Sequence, residues 1–396
     1  MKHRIVVLGA GYAGAFAAGN LARRLSPADA DITVVNAVPD FVERMRLHQL
    51  AAGHDVTASR LADVFAGTGV RLHLARVTGV DPERRSVTVS GEDGDGELAY
   101  DTLLYALGSS VDHRGVPGAA EHAFDVTGRT SALRLRERLA RLDAGGSVLV
   151  VGEGLTGIET AAEFAESRPD LSVALAARGE PGAWLSPKAR RHLRECFDRL
   201  GVTVHEHTRV DAVEPGRAIA ADGRSLPADV TVWSAGFAVH PLAAAAGLRV
   251  AETGQIAVDR TMRSLSHPDV YAIGDCAHAL GDNGRPLPMS CASAGATATQ
   301  ATAAIVARLT GRDVPTVGLP YYGNTISLGQ RDAIFQQVDG DARAKSWYLG
   351  GRGAARLKAG VLRGSRWSIA HPTFGMPKRR RRLTGAPGPA TVRVAA

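Results

Sequence analysis

Two glycine turns that start 143 residues apart constrain this chain more than any other feature. The first is Gly9-Ala10-Gly11-Tyr12-Ala13-Gly14 and the second is Gly152-Glu153-Gly154-Leu155-Thr156-Gly157. Each follows a short apolar run, Ile5 to Leu8 or Val148 to Val151, as expected of a strand buried on both faces. Each precedes a stretch of helical composition, Ala15 to Leu25 or Ile158 to Ser167. A further apolar run follows, Ile32 to Val35 or Leu171 to Ala176. Strand, glycine turn, helix and strand make one Rossmann unit. In G-x-G-x-x-G one glycine allows the tight turn, one lets a pyrophosphate approach, and one lets the helix pack on the strand. The helix N-terminus then offers free N–H groups to phosphate. The interval is too long for a solenoid repeat. It predicts two nucleotide-binding domains in one α/β chain.

The end of the second strand in each unit selects the ribose. An acid about 20 residues beyond the glycines ordinarily bonds the ribose hydroxyls. Asn36 stands there in the first unit, able to hydrogen-bond but carrying no charge. In the second unit Ala177 stands there, followed by Arg178. A cation in place of the acid suits a 2′-phosphate and tilts the second site toward NADPH. The alternative is that Arg178 is solvated and NADH binds.

Composition excludes several classes. The chain has 396 residues, 45% hydrophobic and 22% charged, which is ordinary globular composition. It has no run of 18 apolar residues, so no membrane-spanning helix is expected. Met1 to Leu8 resembles a signal peptide, but its apolar run is short and broken by Gly9, which predicts a cytoplasmic protein. The three cysteines, Cys196, Cys276 and Cys291, form no CxxC pair, and the histidines show no metal-ligand spacing, so no metal site is predicted. From Ala342 onward there are thirteen Lys/Arg and no Asp or Glu, which leaves 34 basic against 40 acidic residues in the rest. An acidic body with a basic tail points to a surface or a partner.

Three further segments carry a family resemblance. Tyr271-Ala272-Ile273-Gly274-Asp275 resembles the third FAD motif of the two-dinucleotide-binding flavoproteins, the pyridine nucleotide oxidoreductases. Tyr100 to Ser109, with Gly108, resembles the strand that closes their FAD domain, although Leu107 replaces the usual small residue. Val232 to Phe237, with Gly236, is similar to the segment closing their NAD(P) domain. Within that superfamily the chain looks like the type II NADH dehydrogenases, the single-subunit NAD(P)H:quinone oxidoreductases. The resemblance implies two Rossmann-like domains with a small C-terminal α+β region: residues 1–111 and 241–312 for FAD, 112–240 for NAD(P), and 313–396 with the basic tail. It implies FAD and NADH or NADPH as cofactors. It places Gly9, Gly11, Gly14, Asn36, Arg44, Arg46, Gly108, Gly274, Asp275, Ser290 and Cys291 toward FAD, and Gly152, Gly154, Gly157, Arg178 and Gly236 toward the nicotinamide nucleotide. Glu159 would lie near the nicotinamide and the flavin, or be a first-turn glutamate that only favours the helix dipole.

No cysteine precedes Cys196, so the redox pair of disulfide reductases is missing. Cys291 stands between two readings, a redox thiol at the flavin and a small packing residue. It opens an alanine-rich stretch whose helix N-terminus would favour negative charge on reduced flavin. Gln300 is a partial match to the glutamines of the family's quinone pocket. Arg44, Arg46 and His48 could approach the flavin or the acceptor, or two of the three could simply be solvated. Tyr322 to Val338 reads as a hairpin with turns at Gly323-Asn324 and Gly329-Gln330. The tail, with Trp347, Tyr348, Trp367 and Phe374 among its cations, suits an anionic lipid surface, and Lys378 to Arg382 with Gly385 to Pro389 reads as disordered.

The expected function is hydride transfer from NAD(P)H to FAD, with electrons passed to a small acceptor, a quinone first. A soluble reductase for a biosynthetic pathway or electron carrier, and a redox sensor resembling apoptosis-inducing factor, are the alternatives. Expected partners are the acceptor, a second copy of the chain and, through the tail, the inner face of the cell membrane. Nucleic acid is not expected.

Overall fold

The computed structural model describes residues 1–92, 94–315, 318–319, 321–339, 343–375 and 380–384. The first apolar run is the strand His3–Leu8, held between parallel neighbours Ala30–Asn36 and Thr102–Tyr105. Neighbouring strands and packed helices enclose it, so Ile5, Val6, Val7 and Leu8 are all buried and the run shows no polar alternation. The sheet continues as Val270–Ala272 beyond Thr102–Tyr105. On the other side Arg71–Asp81 follows Ala30–Asn36, then Ser86–Gly91 and Gly94–Ala99 turn back as an antiparallel meander. The helices Tyr12–Arg24 and Cys291–Leu309 pack together on one face. Their many alanines allow that close approach.

The second unit repeats the plan. Five parallel strands run in the order Ala123–Phe124, Val230–Trp233, Ser147–Val151, Ser172–Ala176 and Thr203–His205. The helices Arg129–Ala140, Leu155–Ser167 and Pro187–Leu200 cover one apolar face. A three-stranded meander, Val210–Glu214, Arg217–Ala220 and Ser225–Pro227, covers the other. The chain crosses between the units at Ser109–Val111 and Phe237–Val239, which pair as an antiparallel ribbon. The fold is therefore α/β with two Rossmann-like halves.

The glycine turns are near copies. Gly9 has φ +92° and Gly152 has φ +123°, conformations that a side chain strains. A Cβ on Gly14 would stand 2.0 Å from the Gly9 carbonyl oxygen, and one on Gly157 would stand 1.8 Å from that of Gly152. At Gly11 and Gly154 a Cβ would meet nothing within 4 Å. The third glycine thus serves the fold, and the second leaves room beside the turn.

The C-terminal region folds more fully than its sequence suggests. Gly323–Ser327, Ala333–Val338 and Ala344–Gly350 form an antiparallel sheet, followed by the helix Gly351–Ala370. Gly329 makes the expected turn at φ +81°. Gly323-Asn324 is not a turn but the start of a strand, because a Cβ at Gly323 would lie 2.4 Å from the Gln336 carbonyl oxygen. The end of the chain is not a solvated tail throughout. The Asn20 amide donates to the Pro372 carbonyl at 3.0 Å. Ser26 N–H donates to the Arg381 carbonyl, and Arg381 N–H donates to that of Arg24, both at 2.8 Å. Arg382 pairs with Asp29 at 2.9 Å. Arg381 and Arg382 are therefore ordered by the first helix, while Lys378, Arg379 and Gly385 to Pro389 lie outside the described residues.

The glycine contacts make a stability prediction. Gly157→Ala forces a methyl group onto backbone and should cost about 3 kcal/mol. Gly154→Ala, at an N-cap with open space, should cost under about 1 kcal/mol. Urea midpoints of the two variants check the difference, and equal midpoints would refute it.

Candidate active site

A cleft of about 680 Å³ opens at the carboxyl ends of the strands His3–Leu8, Ala30–Asn36 and Thr102–Tyr105. Ligands of open α/β sheets bind at such ends. Of the expected residues, Gly9, Gly11, Asn36, Arg44, Gly108 and Glu159 stand in its walls. Gly274, Asp275, Ser290 and Cys291 do too. Gly14 lies behind the turn, and Gly152, Gly154, Gly157, Arg178 and Gly236 lie outside the walls. Arg46 also lies outside, since its guanidinium bonds Gln49 at 2.9 Å and pairs with Glu43 at 3.8 Å. Gln300 is buried and bonds the Pro315 carbonyl, away from the cleft. None of Arg44, Arg46 and His48 is simply solvated.

Helix N-termini line up with the two turns. The helices Tyr12–Arg24 and Leu155–Ser167 begin at Gly11 and Gly154, with no side-chain cap and no acid in the first turn. Their first N–H groups are therefore left for a ligand, and an anion there gains from the helix dipole. By contrast Ser186 caps Pro187–Leu200 and Ser290 caps Cys291–Leu309. Asn36 holds the first turn in place. Its Oδ1 accepts from Ala10 N–H at 2.9 Å and its amide donates to the Val38 carbonyl at 2.7 Å.

Asp275 is fixed on the cleft wall by Ser109 Oγ at 2.7 Å, with Arg44 Nη1 at 3.6 Å. Arg44 also donates to the Ser109 carbonyl at 2.8 Å and lies 5.1 Å over the Phe237 ring. Burial lowers its pKa from the ordinary value, yet an arginine stays charged there.

The deep end of the cleft holds a buried ion pair. Glu159 Oε1 accepts from Lys358 Nζ at 2.9 Å and from Ser327 N–H at 2.8 Å. Lys358 Nζ also donates to the Thr325 carbonyl at 3.0 Å. Both side chains are about nine-tenths buried. Burial alone would raise the Glu159 pKa, but Lys358, His48 and the Ser327 amide outweigh it and hold the carboxyl below its usual range. His48 is buried beside them with Nε2 unpartnered, and burial lowers its pKa. Glu159 is thus not the first-turn glutamate of the alternative reading: it lies past the first turn of Leu155–Ser167 and is held in the buried ion pair. Lys358 was invisible in the sequence, where it is one cation among thirteen. Only the packing of Ala354 and Lys358, four residues apart on the inner face of their helix, gives it away.

The thiols are all free. Cys291 lies at the helix start in the cleft, and burial pushes its pKa up to about 11. Cys276 donates to the Ile273 carbonyl at 3.1 Å and is pushed up to about 12, again by burial. Both are neutral thiols near pH 7, whereas the thiolate is the reactive form. Among the described residues there is no cluster of His, Cys, Asp and Glu able to hold a metal, and no helix long and apolar enough to cross a membrane.

Residues 3–298 match the model of the pyridine nucleotide-disulphide oxidoreductases. The chain belongs to that family. It is 32% identical over 361 residues to an NADH dehydrogenase-like protein of Mycobacterium tuberculosis, MT1860, covering 84% of this chain and 88% of that one. It is 25% identical to a type II NADH:quinone oxidoreductase of Staphylococcus aureus, covering 85% and 90%. The structure of NDH2 from Plasmodium falciparum in complex with NADH superposes with a TM-score of 0.77 at 16% identity, covering 96% and 100%. The chain is an oxidoreductase, and its cofactors are FAD and NAD(P)H. The two uncapped helix starts and the open space at Gly11 and Gly154 fit two pyrophosphates.

The Glu159–Lys358 pair predicts a specific acid response. A carboxyl with a depressed folded pKa adds stability above the unfolded value of 4.5, and that stability is lost as pH falls through the lower folded value. Glu159→Gln should therefore flatten the fall in melting temperature below about pH 4.5. Lys358→Met, which strands the buried carboxylate, should cost about 3–5 kcal/mol at pH 7. The double variant should recover most of it. Thermal unfolding across pH checks both, and a Lys358→Met protein as stable as wild type would refute them.

Proposed function

We propose that this chain passes a hydride from NAD(P)H to FAD and delivers electrons to a quinone at the deep end of the cleft. In this reading residues 1–111 and 241–312 hold FAD, 112–240 hold the nicotinamide nucleotide, and 313–396 complete the acceptor side. The carrying observation is Lys358, a buried ammonium against Glu159 and Thr325 that also faces the cleft.

Bound FAD supplies the two-electron chemistry, and the protein supplies position and charge. The start of Tyr12–Arg24 would hold the flavin pyrophosphate, with Asp275 and Arg44 on the cleft wall as further holding groups. The start of Cys291–Leu309 points into the cleft and favours negative charge there. Reduction of a quinone to a quinol needs two protons. Lys358 has three donors, of which Glu159 and Thr325 take two, and the third is free to hold a proton toward the acceptor. Glu159 pairs with the amine in the dry site and fixes its direction. Cys291, a neutral thiol, is the small packing residue at the flavin side.

Sulfide as the electron donor, or a disulfide as the acceptor, is disfavoured by the missing thiolate pair. The quinone reading also draws on the Staphylococcus aureus relative and on a demethylphylloquinone reductase of Synechocystis, 24% identical over 349 residues. Such acceptors live in lipid. The exposed Leu357, Trp367 and Phe374, with Arg352, Arg356 and Arg363 nearby, suit an anionic bilayer surface, each cation contributing about 1 kcal/mol.

Anaerobic mixing with NADH or NADPH should bleach the flavin band at about 450 nm, and a menaquinone analogue should restore it. No bleaching with either nucleotide would end the reading. Lys358→Met should slow reoxidation by quinone about a hundredfold, while flavin reduction stays within about threefold. Equal slowing of both steps would remove Lys358 from the acceptor side. The protein should also sediment with anionic liposomes at low salt, and Trp367→Glu should weaken this. A protein that stays in the supernatant has no lipid surface of this kind.

A further inference from the structure

The second glycine turn carries an acid where the motif asks for none. Ala177, at the end of its second strand, has no side chain able to reach a ribose, and Arg178 beside it is exposed. The Arg178 guanidinium makes no hydrogen bond or ion pair among the described residues. The acid comes from the turn itself. Glu153 Oε2 accepts the Arg178 backbone N–H at 3.0 Å. Its Oε1 lies 3.9 Å from where a Cβ of Gly179 would stand. The carboxylate therefore lies across the strand end, half-buried, with one oxygen used by backbone and the other beside Gly179. It also sits one residue before the Gly154 cap, at the positive end of that helix's dipole.

We propose that Glu153 is the ribose-selecting residue of this site, so that the chain takes NADH over NADPH in spite of Arg178. The inference rests on the reading of the second turn as the nicotinamide-nucleotide site. With a pyrophosphate on the start of Leu155–Ser167, the adenosine ribose falls at the end of the second strand. That is where Glu153 Oε1 waits. A ribose 2′-hydroxyl donates to it in a charge-assisted bond. A 2′-phosphate has no proton to donate and meets a like charge pinned by a backbone bond. Arg178 opposes that repulsion only weakly, since an exposed arginine is screened by salt and loses side-chain freedom when it pairs. A fixed carboxylate in contact outweighs a mobile cation in solvent. The tilt toward NADPH drawn from Arg178 alone is thereby reversed.

The test uses the flavin-loaded protein and reads binding rather than turnover. Calorimetric titration with ADP-ribose and with 2′-phospho-ADP-ribose gives a ratio of dissociation constants. Wild type should prefer ADP-ribose at least tenfold. Glu153→Gln keeps an acceptor for the Arg178 N–H but removes the charge, and should cut that ratio at least fivefold, mainly by tighter binding of the phosphorylated ligand. Arg178→Gln should raise the ratio modestly. A wild-type ratio of one or below, or a ratio unmoved in Glu153→Gln, overturns the proposal. If Glu153→Gln does not retain flavin, the wild-type ratio alone decides. If neither ligand binds the yellow protein, the site reading fails and the selection proposal falls with it. Flavin that NADH bleaches, together with a preference for the phosphorylated ligand, would defeat the selection proposal alone.

Discussion

Contact between a glycine Cα and a carbonyl oxygen, made once in each Rossmann-like half, is the constraint on which the rest depends. With no Cβ at Gly14 or Gly157, the helix starts directly over the strand end. That closeness leaves the first turn of the helix uncapped and aimed outward. Everything chemical is arranged around those two bare helix ends. Asn36 braces one turn and Glu153 the strand end beside the other. Asp275, Arg44 and Ser109 then form a small polar frame at the mouth of the cleft.

The glycine turns, their strands and their helices were legible because their signals are local. Periodicity and spacing encode a strand, a turn and a helix within about 30 residues. The order of motifs through Gly274-Asp275 was legible for the same reason. The deep end of the cleft was not. Lys358 meets Glu159 across 199 residues of sequence, and nothing in Arg356-Leu357-Lys358-Ala359 says which of the two cations turns inward. Net charge described that region as a basic end seeking an external anion. The fold supplies internal ones, Glu159 and Glu43 for Lys358 and Arg366, and Asp29 for Arg382. Gly323 misled in another way. A glycine chosen for close approach to a neighbouring strand looks identical in sequence to one chosen for a turn.

Burial explains the division of labour among the ionisable groups. At Cys291 and Cys276 burial outweighs every nearby charge and hydrogen bond, so both thiols stay protonated. Glu159 has a cation and an amide within hydrogen-bonding distance, so it stays charged in an equally dry place. The same cleft thus holds inert sulfur and an ion pair.

The wrapping of the chain end around the first helix also sets an order of events during synthesis. Gly9 to Asn36 leave the ribosome early, yet Pro372, Arg381 and Arg382, which bond that helix and its following turn, are made more than 330 residues later. At translation rates of about 5–20 residues per second, the interval is tens of seconds. Through it the first Rossmann half carries an exposed helix flank, and the cleft lacks the wall that Lys358 and its helix provide. Stable retention of the cofactor therefore waits for the segment that carries Lys358 and Pro372 to Arg382. A growing chain holds a half-built pocket that a segment far along the same chain must close.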